Sequence, residues 1–139
     1  MRSTLSITIL FFILSLDLIS QNNESPDSLR VKANTQIYLA HIPCDTTAGS
    51  FKIMDSISDT DKAIRIKFGT KPAMGSVLEI FNPYEFPFVY TAFVYNFKKK
   101  KYINAGVHPV QPKMGVRETW PFPTEYILIK EFKLEVEKE

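Results

Sequence analysis

Along most of the chain apolar and polar residues alternate with a period of two, the repeat of a strand with one buried face. Val31, Ala33, Thr35, Ile37 and Leu39 alternate with Lys32, Asn34, Gln36 and Tyr38; a break near Ala33-Asn34 would divide the run, and Pro43 ends it. Asp45-Thr46-Thr47-Ala48-Gly49 is turn material, Ser50–Ile53 a weaker strand, and 55–61 a polar loop. Ala63–Phe68 is a clear strand, with Ile64, Ile66 and Phe68 on one side and Arg65 and Lys67 on the other. Gly69-Thr70-Lys71-Pro72 reads as a turn, Ser76–Phe81 as a strand, and Asn82-Pro83-Tyr84-Glu85 as a tight connection.

The strand predicted over 86–97 has apolar groups on both faces. Phe88, Tyr90, Ala92 and Val94 fall on one side, and Val89, Thr91, Phe93 and Tyr95 on the other. Such a strand is covered on both sides, or its outer face meets a partner. Lys98-Lys99-Lys100-Lys101 interrupts, and 102–107 pairs back as a hairpin. Four prolines make 108–124 loop-rich, since proline cannot donate to a ladder. In 126–136, Tyr126, Leu128, Phe132, Leu134 and Val136 share one face, and Lys130 is the mismatch on that face.

No window of helical length after residue 20 shows a 3.6-residue stripe, and no internal repeat is present. The expected fold is all-β: an immunoglobulin-like antiparallel β-sandwich of about seven strands over 29–139. A small β-barrel is the second choice. The Cys…Trp…Cys core of antibody domains is missing.

The N-terminus breaks the alternation. A basic start at Arg2 precedes a nearly unbroken apolar run over 5–16, and polar sequence begins at Ser20. This is the layout of a secretory signal peptide over residues 1–20, cleaved after Ser20 and followed by a disordered polar lead-in over 21–28. The run is short of the roughly 20 residues that a membrane span needs, and Asp17 interrupts it. The sole cysteine, Cys44, lies far from this junction, so a lipid anchor is not expected there. The reading is an exported domain, in the periplasm, at the cell surface or outside the cell, without stable membrane insertion once the signal is removed. Asn23-Glu24-Ser25 would accept a glycan only in a eukaryotic secretory pathway.

The net charge of +2 gives no concentrated basic footprint, so nucleic acid is not an expected partner. One cysteine excludes an internal disulfide, so packing alone holds the fold; Cys44 reads as a small buried residue, with a link between two chains as the alternative. His41 and Cys44 with Met54, Met74 and Met114 offer a soft donor set for copper, but residues three apart on a strand face opposite ways. Asp55, Asp59 and Asp61 lack the register of a calcium loop. No cofactor or metal is expected. No catalytic motif is present, and Glu79, Glu85, Glu118 and Glu125 have no context that marks a carboxylate pair, which makes a hydrolase the weakest reading.

Two features carry the expected binding surface. The lysine run 98–101 is most simply a solvated turn, and alternatively a contact for an anionic surface. Trp120 and Phe122 lie in a loop stiffened by Pro121 and Pro123; they present rigid aromatics to a ligand or plug the end of the sandwich, and the plug is the better-supported reading. With Tyr84 and Tyr102 these residues form the candidate surface. The expected function is a small non-catalytic module that binds an envelope or extracellular protein. A carbohydrate- or surface-binding module built on Trp120 and nearby aromatics is the alternative.

Overall fold

The structure, a computed structural model, describes residues 28–42, 50–71, 73 and 75–136. The expected signal segment, lead-in residues 21–27, Cys44, the 45–49 turn and Met74 lie outside the described residues. Nine strands are described: β1 (Ser28–Lys32), β2 (Thr35–Ile42), β3 (Ser50–Met54), β4 (Ala63–Lys71), β5 (Gly75–Phe81), β6 (Phe88–Asn96), β7 (Lys101–Asn104), β8 (Gly115–Trp120) and β9 (Tyr126–Leu134). They form two antiparallel sheets, a four-stranded one in the order β1-β9-β6-β7 and a five-stranded one in the order β3-β2-β4-β5-β8. The inward faces share one core, in which Phe68, Phe88, Leu39, Ile64, Leu78 and Ile129 are fully buried. The fold is a β-sandwich, and among the described residues no ladder joins its two sheets.

The alternating pattern becomes these layers directly in β4 and β6. Ile64, Ile66 and Phe68 point inward while Arg65 and Lys67 face solvent. Phe88, Tyr90, Ala92 and Val94 point inward, and Val89, Thr91, Phe93 and Tyr95 lie outward, half-buried. The first apolar run is divided at Ala33-Asn34. Asn34 adopts φ 63°, the left-handed region that asparagine tolerates, and Thr35 Oγ1 donates to Lys32 O at 2.6 Å. The chain reverses there and passes from the four-stranded sheet to the other.

Three elements differ from the pattern reading. β8 forms within the stretch expected to be loop. Pro112 and Pro121 lie outside its bounds, and as an edge strand it needs donors only toward β5. β4 continues through Gly69 to Lys71, because the ladder to β5 runs on to the Lys71↔Gly75 pair. In β9 the inward residues are Ile127 and Ile129, then Leu134, while Tyr126 and Leu128 lie on the outer face. A bulge explains the switch. Pairing with β6 slips between Val89 and Thr91, and Glu131 takes φ 52°. One extra residue moves the core-facing set from odd to even positions, so Lys130 is no mismatch.

The registers place connections 33–34, 97–100 and 121–125 at one end of the sandwich. The β5–β6 corner, 82–87, lies at the other. Buried side chains fix both ends. Asn82 Nδ2 donates to Phe86 O at 2.8 Å and Val110 O at 3.1 Å, while its Oδ1 accepts from Tyr84 N at 3.0 Å. At the opposite end Ser76 Oγ donates to Phe122 O at 2.9 Å and accepts from Thr124 N at 2.8 Å. Gly75 sits beneath this arch with φ 76°, and a Cβ there would fall 2.0 Å from Trp120 O.

Candidate binding surface

The outward faces of the two sheets differ in chemistry. On the five-stranded sheet Gln36, Lys67, Glu79 and Arg117 form one cross-strand row. Arg117 Nε donates to Glu79 Oε1 at 2.9 Å, and Lys67 Nζ lies 4.0 Å from Glu79 Oε2. The Arg117 hydrogen bond, with the positive charges around it, holds the Glu79 carboxyl below its usual range, against a smaller opposing effect of burial. Hollows of about 420 and 380 Å³ flank the row, where Gly115 and Gly69 contribute no side chain. This is a charge-paired face.

The four-stranded sheet presents aromatic and apolar groups instead. Phe93 and Tyr95 of β6 lie beside Leu128 and Tyr126 of β9, with Tyr102 opposite Tyr95 on β7. Their positions follow from the period of two, because the inward neighbours of each are core residues. Cations lie over the rings. The Arg30 guanidinium stands 3.8 Å from the Tyr126 ring centre, and Lys130 Nζ stands 5.7 Å from that of Phe93. At the 97–100 turn Phe97 is 57% exposed, and its ring meets Tyr95 edge-on with centres 5.1 Å apart. Tyr95 in turn meets Tyr102, itself 40% exposed, at 5.3 Å. Lys98, Lys99, Lys100 and Lys101 follow, all exposed.

The residues named from the sequence therefore separate. Tyr102 and Lys98–Lys101 come together on this face with Phe93, Tyr95, Phe97 and Tyr126. Trp120 and Phe122 lie at the same end of the sandwich but pack, half-buried, against the core. Tyr84 lies at the opposite end. Its hydroxyl accepts from His41 N at 2.9 Å and donates to Lys62 O at 2.6 Å, prolonging the β2–β4 ladder by one rung. Burial raises its pKa, and the bond from the His41 backbone offsets part of that rise. Phe93 and Tyr95 belonged to the pattern that suggested an outer face meeting a partner, yet only the sheet order shows which neighbours complete the patch.

The other candidate groups also find places. His41 sits edge-on between Phe51 and Tyr84, with ring centres 5.5 and 5.8 Å away, and burial lowers its pKa. Cys44, its suggested copper partner, lies outside the described residues. Asp59 caps the short 3-10 turn Thr60–Lys62, accepting from Asp61 N at 3.1 Å and pairing with Lys62 at 3.3 Å. The four candidate carboxylates are dispersed. Glu79 pairs on the outer face, Glu118 meets His108 Nδ1 at 2.9 Å, Glu85 meets Lys113 at 3.0 Å at the corner end, and Glu125 lies in the opposite arch. Among the described residues no group of three or more His, Cys, Asp or Glu is placed to hold a metal ion. No helix among them is long and apolar enough to cross a membrane.

Comparison of the chain with protein-family models, with curated proteins and with solved structures finds no match.

Proposed function

We propose that this protein is a small exported binding module, immunoglobulin-like in its sandwich, that engages an envelope or extracellular protein through the outer face of its four-stranded sheet. The aromatic face carries this reading. Phe93, Tyr95, Tyr102 and Tyr126 lie together with Arg30 and Lys130 above the rings, a composition typical of the energetic centres of protein interfaces. The other sheet, with its salt-bridged row, has the character of a solvated face. Export rests on the signal-like residues 1–20, and the immunoglobulin-like description on hairpins joined by connections that pass between the sheets. Glycan binding retains Tyr102 and Tyr95 as a platform, without Trp120.

Photo-crosslinking in the protein's own compartment tests the protein-partner reading. A crosslinker at Asn104, on the aromatic face, is expected to give one discrete protein adduct that Tyr95→Ala abolishes. A crosslinker at Thr119, on the opposite sheet, is expected to give none. Adducts from Thr119 alone, or from neither position, would overturn the reading. Glycan-array binding lost in Tyr102→Ala would favour the sugar alternative.

A further inference from the structure

The hairpin between β6 and β7 combines two features that a charge run alone lacks. Lys98, Lys99, Lys100 and Lys101 are all exposed, and the same tip lifts Phe97 into solvent. The loop is built. Lys99 N donates to Asn96 Oδ1 at 3.0 Å, and Lys100 closes the turn with φ 51°. Tyr95 meets Phe97 edge-on, and Tyr102 in turn meets Tyr95.

Excess positive charge also gathers at this end of the sandwich. Lys32 and Lys71 lie at the same end as the lysine tip, where Glu125 is the one carboxylate among the described residues. Asp59, Asp61, Glu85 and Glu135 lie toward the other end together with Lys52, Lys62, Lys113 and Lys133, and two of these carboxylates are paired, Asp59 with Lys62 and Glu85 with Lys113. A bilayer with anionic headgroups would thus attract the lysine end, while the charges of the other end balance one another.

We infer that the β6–β7 tip docks end-on to an anionic phospholipid bilayer, with Phe97 entering the interface and Lys98–Lys101 lying among the headgroups. Lysines alone give weak, salt-screened binding, and an apolar group that enters the interface adds a contribution that salt does not screen. Each lysine near such a surface strengthens binding about fivefold. Burial of the phenyl ring adds on the order of tenfold. Tyr95 and Tyr102 sit behind Phe97, at the level where aromatic side chains favour the interface. Docking at the tip stands apart from partner binding on the sheet face, since the remainder of that face stays clear of the lipid.

Vesicle co-sedimentation tests this with the protein as its cell processes it. Vesicles of phosphatidylcholine alone are compared with vesicles that also contain phosphatidylglycerol. Retention is expected only on the anionic vesicles, and it falls as salt rises. Replacing all four lysines by glutamine should weaken it on the order of several hundredfold. Phe97→Ser should weaken it about tenfold. Phe97→Trp should show a blue-shifted emission with anionic vesicles only. Both positions are exposed, so melting temperatures are expected to be unchanged. Equal retention on neutral vesicles would overturn the inference, as would a Phe97→Ser variant that binds like the parent. Binding to a soluble polyanion such as heparin, with the same affinity as to vesicles, would make the tip a general anion contact and overturn the bilayer.

Discussion

Replacing Asn82 by alanine should cost the domain a large share of its stability. Asn82 is fully buried where the chain leaves the five-stranded sheet for the four-stranded one. Its carboxamide donates to Phe86 O at 2.8 Å and to Val110 O at 3.1 Å, and accepts from Tyr84 N at 3.0 Å. At about 1 kcal/mol for each net hydrogen bond, the three contribute roughly 3 kcal/mol. The stranded Tyr84 N–H and the space left by the carboxamide push that figure upward. Against a total of about 5–15 kcal/mol this is a severe loss. It corresponds to a fall in melting temperature of about 12 °C for a domain of this size.

Urea denaturation followed by circular dichroism measures the effect, with an unchanged denaturant slope as the sign that the transition remains cooperative. Asn82→Asp sharpens the test. Its carboxylate would face the Phe86 and Val110 carbonyl oxygens, so its folded-state pKa would lie above the ordinary value of about 3.9. A raised acid pKa means stability that is fully present below the unfolded pKa and is lost as pH rises through the folded one. The aspartate variant is therefore expected to approach the parent at low pH and to fall away from it near neutrality. A loss below about 1 kcal/mol in Asn82→Ala, or a pH-independent deficit in Asn82→Asp, would refute this account of the corner.

Other expectations follow from single groups. Gly75→Ala places a Cβ 2.0 Å from Trp120 O at a left-handed φ, so it should destabilise by more than about 3 kcal/mol; a melting curve like the parent's would count against the packed arch. Tyr90 is 8% exposed, and its hydroxyl has no hydrogen-bond partner among the described residues. Tyr90→Phe should thus be neutral or stabilise by up to about 1 kcal/mol in urea titration, and a clear loss would contradict the placement of that ring. Burial, with the Glu118 charge, raises the Tyr90 pKa, so the parent should lose stability above about pH 10, where the unfolded chain releases the proton first, and Tyr90→Phe should flatten that loss. His41 behaves in the opposite sense. Burial lowers its pKa, so its contribution is complete above about pH 6.5 and is lost as pH falls. His41→Gln should reduce the acid slope of stability, and an identical slope would show that other groups cause it.

Much of the sandwich was legible because β4 and β6 themselves carry no bulge, so that alternation alone assigns their faces. The hidden parts share a physical cause. At Lys130-Glu131 the bulge inserts a residue, and a strict period of two then assigns Tyr126 and Leu128 to the wrong side. The Gly69 turn reading failed because glycine on an outward strand position is tolerated when the ladder to β5 is intact. For the binding surface, Tyr102 and the lysines stood out as local chemistry. Arg30 and Tyr126 did not, since β1 and β9 are adjacent only through long-range pairing. Tyr84 looked like a free platform, but its hydroxyl completes the backbone of two strands that lie far from it in the sequence.

The pairing of β1 with β9 also governs when the domain comes into being. The first strand finds its ladder only in the last one, from Ser28↔Lys130 to Lys32↔Tyr126, and β9 is the neighbour that β1 and β6 share. Until β9 is available, the four-stranded sheet cannot close, and the loop entropy of joining β1 to β9 is still to be met. The four-stranded sheet therefore stays open until β9 has been made. β9 is thus the latch of the four-stranded sheet, holding β1 on one side and β6 on the other.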